Sequence, residues 1–260
     1  MSVSTYLDGL ASTLLLSETE KSNVSTSINT LSSRLSSYFS SDMKQNFLFG
    51  SYTRTTILPR KADSNSDVDY MIVFDNADRL KPQTFITRLK KFAEKYYSSS
   101  EIHQSYPTVV LELNHIKFDL VPAYGDYYSY YIPSPYNSYI EWIGTNPREL
   151  NDRVDEKNKN DNYKIKPLIR LVKYWNAAND RVFTSYELEQ LLISNIYIYC
   201  FSLKDYLFKA FENFNPYSFP EYKKNKIERA QRVIAKVKEY EQSDMPYSAE
   251  EEIKNILPSL

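Results

Sequence analysis

The segment from residue 49 to residue 74 constrains the fold more than any other part of the chain. It reads FGSYTRTTILPRKADSNSDVDYMIVF: a Gly-Ser turn, a polar loop, two aspartates one residue apart and an apolar run. Side chains at i and i+2 of a strand point to the same face, so Asp67 and Asp69 are predicted to project side by side. The chain has only four glycines, and Gly50 begins this turn. Because glycine lets the backbone approach an anion closely, the segment predicts adjacent carboxylates and an anion-binding turn.

A third carboxylate is predicted on another strand. Residues 108–113 and 116–121 each read as a strand, and the two residues between them read as a hairpin turn. Asp119 lies in the second strand between apolar neighbours, where an ionised carboxylate is costly unless it is paired or bound to a metal. The alternative is that Asp119 faces solvent beside Lys117. With the upstream aspartates present, the pattern favours a shared site for a hard cation such as Mg²⁺, which binds through carboxylates and substrate phosphates.

A Gly-Ser turn, an Asp-x-Asp pair and a distant third acid on a strand together resemble the signature of the polymerase-beta-like nucleotidyltransferases. Two later segments narrow the resemblance: PLIRLVKYWN at 167–176 and SYELE at 185–189. They are similar to the branch that contains the 2′-5′ oligoadenylate synthases, cyclic GMP–AMP synthase and the bacterial CD-NTases. The resemblance runs from the first long helix to about residue 210. The family usually reads Gly-Ser-x-x-Arg-Gly-Thr, whereas this chain has Thr55 at the second glycine.

The resemblance implies a role for each matching residue. Asp67, Asp69 and Asp119 would be both the catalytic acids and the ligands of two ions, Mg²⁺ or Mn²⁺. The substrate-binding residues that it implies are Gly50, Ser51, Arg54, Thr56, Lys173, Ser185 and Tyr186. The turn at Ser51 would hold the β- and γ-phosphates, and Lys173 would reach the triphosphate from a second lobe, where Ser185 and Tyr186 would lie beside the nucleotide. For Lys173 the alternative is a surface lysine on an amphipathic helix.

The reaction implied by the resemblance is metal-dependent transfer of a nucleotidyl group from an NTP, with ATP as the expected substrate and pyrophosphate as the leaving group. Two ions about 3.5–4 Å apart can stabilise both the attacking and the leaving oxygens. The expected acceptor is another NTP, which gives a cyclic or short linear oligonucleotide second messenger for an effector protein in antiphage signalling. The alternatives are toxin-like transfer to an RNA such as tRNA or to a protein, and an inactive nucleotide-binding or partner-binding module, which Thr55 leaves open.

The predicted fold is α+β: a small mixed-sheet nucleotidyltransferase lobe in residues 1–135 and a helical lobe in residues 136–260, with the active-site cleft between them. Ser17 followed by two glutamates reads as a helix start. Apolar residues at three- and four-residue spacing predict the helices. These cover residues 17–39, 82–96, 147–160, 165–176, 185–206, 221–241 and 247–257.

The amino-acid composition limits the partners and the cellular compartment expected for such an enzyme. Lys and Arg number 32 against 33 for Asp and Glu, so no overall basic charge indicates nucleic-acid binding. The single cysteine excludes an internal disulfide, and only two histidines are present, which excludes His-rich metal sites. The first 16 residues lack the basic and apolar stretches of a signal peptide or membrane span. A cytoplasmic protein without a membrane partner is therefore expected.

Overall fold

The computed structural model describes residues 2–76, 79–125, 129–135 and 141–260. The chain divides into two compact units, which we call the sheet unit and the helical unit. The sheet unit comprises Ser17–Arg60 and Asn65–Asn151. The helical unit comprises Met1–Leu16, Lys61–Ser64 and Asp152–Leu260.

The described residues contain seven strands in a single mixed sheet. They are β1 (Met43–Phe49), β2 (Asp67–Phe74), β3 (Glu101–Ser105), β4 (Thr108–Glu112), β5 (Lys117–Gly125), β6 (Tyr130–Pro133) and β7 (Trp142–Thr145). The strand order is β1-β2-β5-β4-β3, and β6 pairs with both β5 and β7. β2 and β5 are parallel and the other pairs are antiparallel. The predicted α+β class with a small mixed sheet is confirmed.

The α-helices of the described residues are α1 (Val3–Thr13), α2 (Glu18–Phe39), α3 (Gly50–Thr53), α4 (Pro82–Tyr96), α5 (Glu149–Asn160), α6 (Ile165–Ala178), α7 (Ser185–Ser194), α8 (Leu203–Asn213), α9 (Glu221–Gln242) and α10 (Pro246–Lys254). The predicted start of α2 is confirmed, because the Ser17 side chain accepts from the backbone of Glu20 while Glu20 caps the Ser17 backbone in return. Pro82 starts α4, where its missing N–H is not needed.

The two faces of the sheet have different neighbours. On one face α2 and α4 cover the buried ends of β2 and β5, and Phe74 of β2 contacts Phe39 of α2 and Phe85 of α4 with ring centroids 4.9 and 5.1 Å apart. On the other face a smaller apolar cluster forms around Met71 and Val73. Because side chains alternate along a strand, residues 67 and 69 of β2 share this second face with that cluster.

The sheet unit begins and ends at other residues than the predicted nucleotidyltransferase lobe does. α1 contacts α6, α8 and α10, and the Tyr6 hydroxyl donates to the Leu257 carbonyl at 2.6 Å, so the first helix belongs to the helical unit. The sheet unit continues to Asn151 because β7 pairs with β6. The predicted boundary at residues 135 and 136 adjoins residues 136–140, which lie outside the described residues.

Two predicted helices are wrong in their extent. The helix predicted from residue 147 begins at Glu149, and the residues before it, Trp142–Thr145, form β7, which was not predicted. The single helix expected over residues 185–206 is broken between Ser194 and Leu203. Asn195 is extended, and Ser202 caps α8 in a reciprocal pair with Asp205, so the intervening residues leave the helix although their sequence is apolar.

Candidate active site

The turn that follows β1 brings the backbone against a carboxylate. Phe49, the last residue of β1, pairs with Asp69 of β2, and Gly50 follows with φ +75°. A Cβ atom added at Gly50 would lie 1.8 Å from Oδ2 of Asp69. Both the positive φ and this close approach require glycine. The turn and the second aspartate of the Asp-x-Asp pair are therefore in direct contact, as the sequence predicted for parts of one site.

Ser51 and the loop after it form a compact, buried structure. The Ser51 carbonyl accepts hydrogen bonds from the backbone N–H groups of Thr56 at 3.0 Å and Ile57 at 3.1 Å. Ser51 and Thr56 are both buried. Arg54 is also buried, and its Nη1 donates to Oδ1 of Asn151 at 3.0 Å. These contacts fix the predicted phosphate-binding turn before any ligand is bound.

Thr55, which stands at the family's second glycine, has φ +60°. This left-handed conformation costs an L-residue roughly 1–2 kcal/mol and is least suited to β-branched residues. The turn thus keeps the backbone conformation that glycine would adopt. Having threonine in place of the family's glycine strains the backbone at Thr55.

We expect Thr55→Gly to raise the free energy of unfolding by roughly 1 kcal/mol, because the released strain exceeds the extra unfolded-state entropy of glycine. Thr55→Ala is the matched control: alanine keeps its Cβ, so it should recover less. Chemical unfolding of the three proteins measures both differences. A glycine variant no more stable than the alanine variant would contradict this account of the turn.

The three predicted acids lie on the same face of two adjacent strands. In the parallel register of β2 and β5, Asp69 is the partner of Asp119 and Asp67 is the partner of Lys117. Paired residues on neighbouring strands share a face, at a strand spacing of about 4.8 Å. The register therefore brings Asp119 beside the Asp-x-Asp pair, although it lies far along the chain. We call Asp67, Asp69 and Asp119 the acid row.

Asp119 is a strongly perturbed carboxyl of the acid row. Burial, together with the neighbouring Asp67, raises its pKa to about 6, while Lys117 and His103 act in the opposite direction. Its Oδ1 atom is buried and has no hydrogen-bond partner among the described residues. A buried carboxylate oxygen without a partner is costly. Asp119 thus has the properties of a carboxylate that gains most from a bound cation.

The donor chemistry of the acid row suits a hard divalent cation, since its members are carboxylates on one face and one oxygen lacks a partner. Within the part of the chain that the structure describes, no group of three or more carboxylate, imidazole or thiol side chains is already gathered as a metal cluster. The like charges of the row repel, and Oδ2 of Asp67 lies 3.4 Å from Nζ of Lys117. These residues fit the expected ion. In this structure the carboxylate of Asp67 is paired with the ammonium group of Lys117.

The helical unit holds the other predicted nucleotide-binding residues. Lys173 on α6 has a side chain only 9% exposed, and its Nζ lies 3.3 Å from Oε1 of Glu189 on α7, which is fully buried. The alternative of a surface lysine is therefore wrong. Ser185 and Tyr186 begin α7 and are exposed. Tyr186 borders a largely apolar groove of about 440 Å³.

Three residues of these surroundings were missed in the sequence interpretation. Lys117 was considered only as a solvent-facing neighbour of Asp119, and Asn151 gave no local signal of its contact with Arg54. Glu189 lies inside the SYELE segment, three residues before Leu192 and four before Ile193, and an acid on the apolar side of a predicted helix is a signal that could have identified it as the partner of a buried base.

The protein family described as the Second Messenger Oligonucleotide or Dinucleotide Synthetase domain matches residues 1–158 of this chain. The chain belongs to this family. The predicted resemblance to the bacterial CD-NTases is thereby confirmed. Among curated proteins, a cyclic AMP-AMP-AMP synthase from Acinetobacter sp. is 30% identical over 181 residues. The match covers 67% of this chain and 52% of that relative, so the chain spans about half the length of the synthase.

Solved structures of two other proteins show the same fold. Escherichia coli CdnC with ATP superposes with a TM-score of 0.74 at 12% identity, covering 100% of this chain and 98% of CdnC. Vibrio cholerae DncV, a cyclic AMP-GMP synthase solved with nonhydrolyzable GTP, gives a TM-score of 0.67 at 11% identity, covering 82% and 68% of the two chains. No helix in the described ranges has the length and apolar character needed to cross a membrane.

Proposed function

We propose that this synthetase-family chain is a metal-dependent nucleotidyltransferase that joins NTPs into a cyclic or short oligonucleotide second messenger. The observation that carries the proposal is the parallel pairing of β2 and β5, which puts Asp69 beside Asp119 and all three acids on one face. Three carboxylates in that arrangement favour binding of a cation, because their mutual repulsion and the burial of Asp119 both cost stability in its absence.

Asp67, Asp69 and Asp119 would hold Mg²⁺ or Mn²⁺, and we propose two ions. Bound ions would supply charge stabilisation for the attacking and leaving oxygens at the α-phosphate. The protein contributes the rest through its own groups. Gly50 keeps the backbone against Asp69, and the buried turn at Ser51 offers a fixed surface for the β- and γ-phosphates. These contacts orient the nucleotide relative to the acids, which is a main source of catalysis in nucleotidyl transfer.

On the substrate side, we propose that Arg54 and Thr56 support the phosphate-binding turn from within, because both are buried in it. Lys173 is proposed to contact the triphosphate, and Ser185 and Tyr186 to lie beside the nucleotide. Glu189 would orient Lys173 through their buried ion pair. The phosphate-binding turn and the acids belong to the sheet unit, and Lys173, Glu189, Ser185 and Tyr186 belong to the helical unit, which replace the predicted lobes 1–135 and 136–260 in this proposal.

The proposed acceptor is a second NTP. Relatives named as a cyclic AMP-AMP-AMP synthase and a cyclic AMP-GMP synthase, and a structure of CdnC with ATP, support ATP as a substrate. The near-neutral charge of the chain gives no support for an RNA acceptor. Thr55 does not disrupt the turn, so it gives little support for an inactive nucleotide-binding module. An effector protein that binds the product, action in antiphage defence and a cytoplasmic setting complete the proposal.

The test is to incubate the purified protein with labelled ATP, alone and with the other NTPs, in Mg²⁺ or Mn²⁺, with and without tRNA. We expect metal-dependent release of pyrophosphate and a phosphatase-resistant oligonucleotide product without tRNA. Label that appears only on tRNA or on protein would favour the toxin-like alternative. No pyrophosphate release under any of these conditions would favour the binding module.

A further inference from the structure

Lys117 lies on the sheet face that carries the acid row, between acidic residues of the two neighbouring strands. It is the β5 partner of Asp67 on one side and of Glu112 on β4 on the other. Its Nζ lies 3.4 Å from Oδ2 of Asp67, and its side chain is 18% exposed, less than the 33% of Asp67. A lysine held between two acids on neighbouring strands at this degree of burial differs from an ordinary surface ion pair.

The second acid beside Lys117 is itself fixed. Nη2 of Arg60 lies 2.7 Å from Oε1 of Glu112, and this hydrogen bond holds the pKa of Glu112 below its usual range. Charges therefore alternate on neighbouring strands in the order Glu112, Lys117 and Asp67. Because Glu112 is already paired with Arg60, it competes only in part for Lys117, whose ammonium group pairs with Asp67.

We propose that Lys117 is the internal counter-cation of the acid row. It neutralises Asp67 in the metal-free protein, and a divalent ion must displace it from Asp67 in order to bind. The proposal rests on the metal site of the proposed function and adds a positioning residue to it. Two consequences follow: Lys117 stabilises the metal-free fold, and it weakens metal binding, so a divalent ion fills the site only when its binding to the carboxylates outweighs the loss of the Lys117–Asp67 ion pair.

A merely structural lysine would behave differently. If Lys117 served only to pair strands, its replacement would lower stability with and without metal and would leave the affinity for metal unchanged. Replacing a counter-cation would instead lower the stability of the metal-free protein and raise its affinity for metal, because a positive charge near a cation site opposes cation binding.

The test uses the full chain stripped of metal and titrated with Mn²⁺ by calorimetry, without nucleotide. For Lys117→Gln we expect Mn²⁺ binding about tenfold tighter than in the wild type, since one opposing charge is removed. The metal-free variant should melt about 3 °C below the wild type, and saturating Mn²⁺ should close that gap. Lys44→Gln is the matched control: Lys44 pairs with Asp75 just beyond the other end of β2 at 3.3 Å, but it is 53% exposed and lies away from the acid row. It should change neither quantity.

Glu112→Gln provides a second variant should Lys117→Gln fail to fold. It removes the competing acid, so Lys117 should pair more fully with Asp67, and Mn²⁺ binding should weaken about threefold. The role of Lys117 would be overturned if the wild type and Lys117→Gln bound Mn²⁺ with equal affinity. If only Glu112→Gln folds, equal affinity of that variant and the wild type would overturn it. Either result would leave the proposed function intact. A wild type that binds no Mn²⁺ would instead refute the metal site on which the proposed function depends.

Discussion

Replacing Asp67 and Asp69 together by asparagine should abolish nucleotidyl transfer and leave the protein folded. The two carboxylates would contribute most of the ligands for the metal, whose charge stabilisation is worth several kcal/mol, so turnover should fall by at least about 10³-fold. Stability should change little, because the relief of repulsion between the two partly buried carboxylates offsets the loss of the Asp67–Lys117 ion pair. Pyrophosphate release measures the first effect and thermal unfolding the second.

Asp75→Asn is the matched control for the double variant. Asp75 directly follows β2 and pairs with Lys44 on the surface, so its loss removes a carboxylate near the same strand without touching the acid row. It should retain full turnover. Near wild-type activity in the double variant would show that Asp67 and Asp69 take no part in catalysis.

Asp119→Asn should stabilise the metal-free protein above pH 6 while it eliminates turnover. Burial raises the pKa of Asp119 to about 6 in the folded state, above the ordinary carboxyl value. The stability from its protonated form is therefore fully present below about pH 4, declines as pH rises towards 6 and is lost above it. A shift of about two pKa units corresponds to roughly 3 kcal/mol, so the variant should be more stable than the wild type at pH 8 by up to that amount.

Chemical unfolding of metal-free wild type and Asp119→Asn at pH 4.5 and pH 8 measures this difference. The advantage of the variant should be large at pH 8 and small at pH 4.5. Excess Mn²⁺ at pH 8 should reverse the order, because the ion binds only the folded protein and needs the Asp119 carboxylate. An Asp119→Asn variant that is less stable than the metal-free wild type at pH 8 would show that Asp119 is well solvated or already paired.

The acids could be predicted from the sequence because each carries a local signal. Asp67 and Asp69 follow from the period of two in a strand, and Asp119 follows from its place between apolar neighbours in a hairpin. The start of α2 was equally local, since Ser17 and Glu20 cap it within one turn. For Asp67, Asp69 and the start of α2 the deciding pattern lies within a few residues, whereas Asp119 was favoured only because the Asp-x-Asp pair lies upstream, and its place beside that pair depends on the parallel register of β2 and β5.

The features that were missed depend on partners far along the chain. The apolar residues after Ser194 satisfy a helical pattern, yet the caps of α7 and α8 and the packing of Tyr197 leave Ile198 exposed in a loop. The burial of Lys173 depends on Glu189 in another helix. Short strands such as β3 have few buried residues, so alternation gives little signal there.

The parallel pairing of β2 with β5 also sets when the acid row can first form during synthesis of the chain. β1 and β2 leave the ribosome well before β5, and α4, β3 and β4 come between them. Parallel pairing requires this whole crossover to be complete, and such long-range contacts form late. A nascent or truncated chain that ends before residue 117 carries the Asp-x-Asp pair but no third acid. The order of the strands thus keeps the acid row incomplete until the chain has been made at least as far as β5.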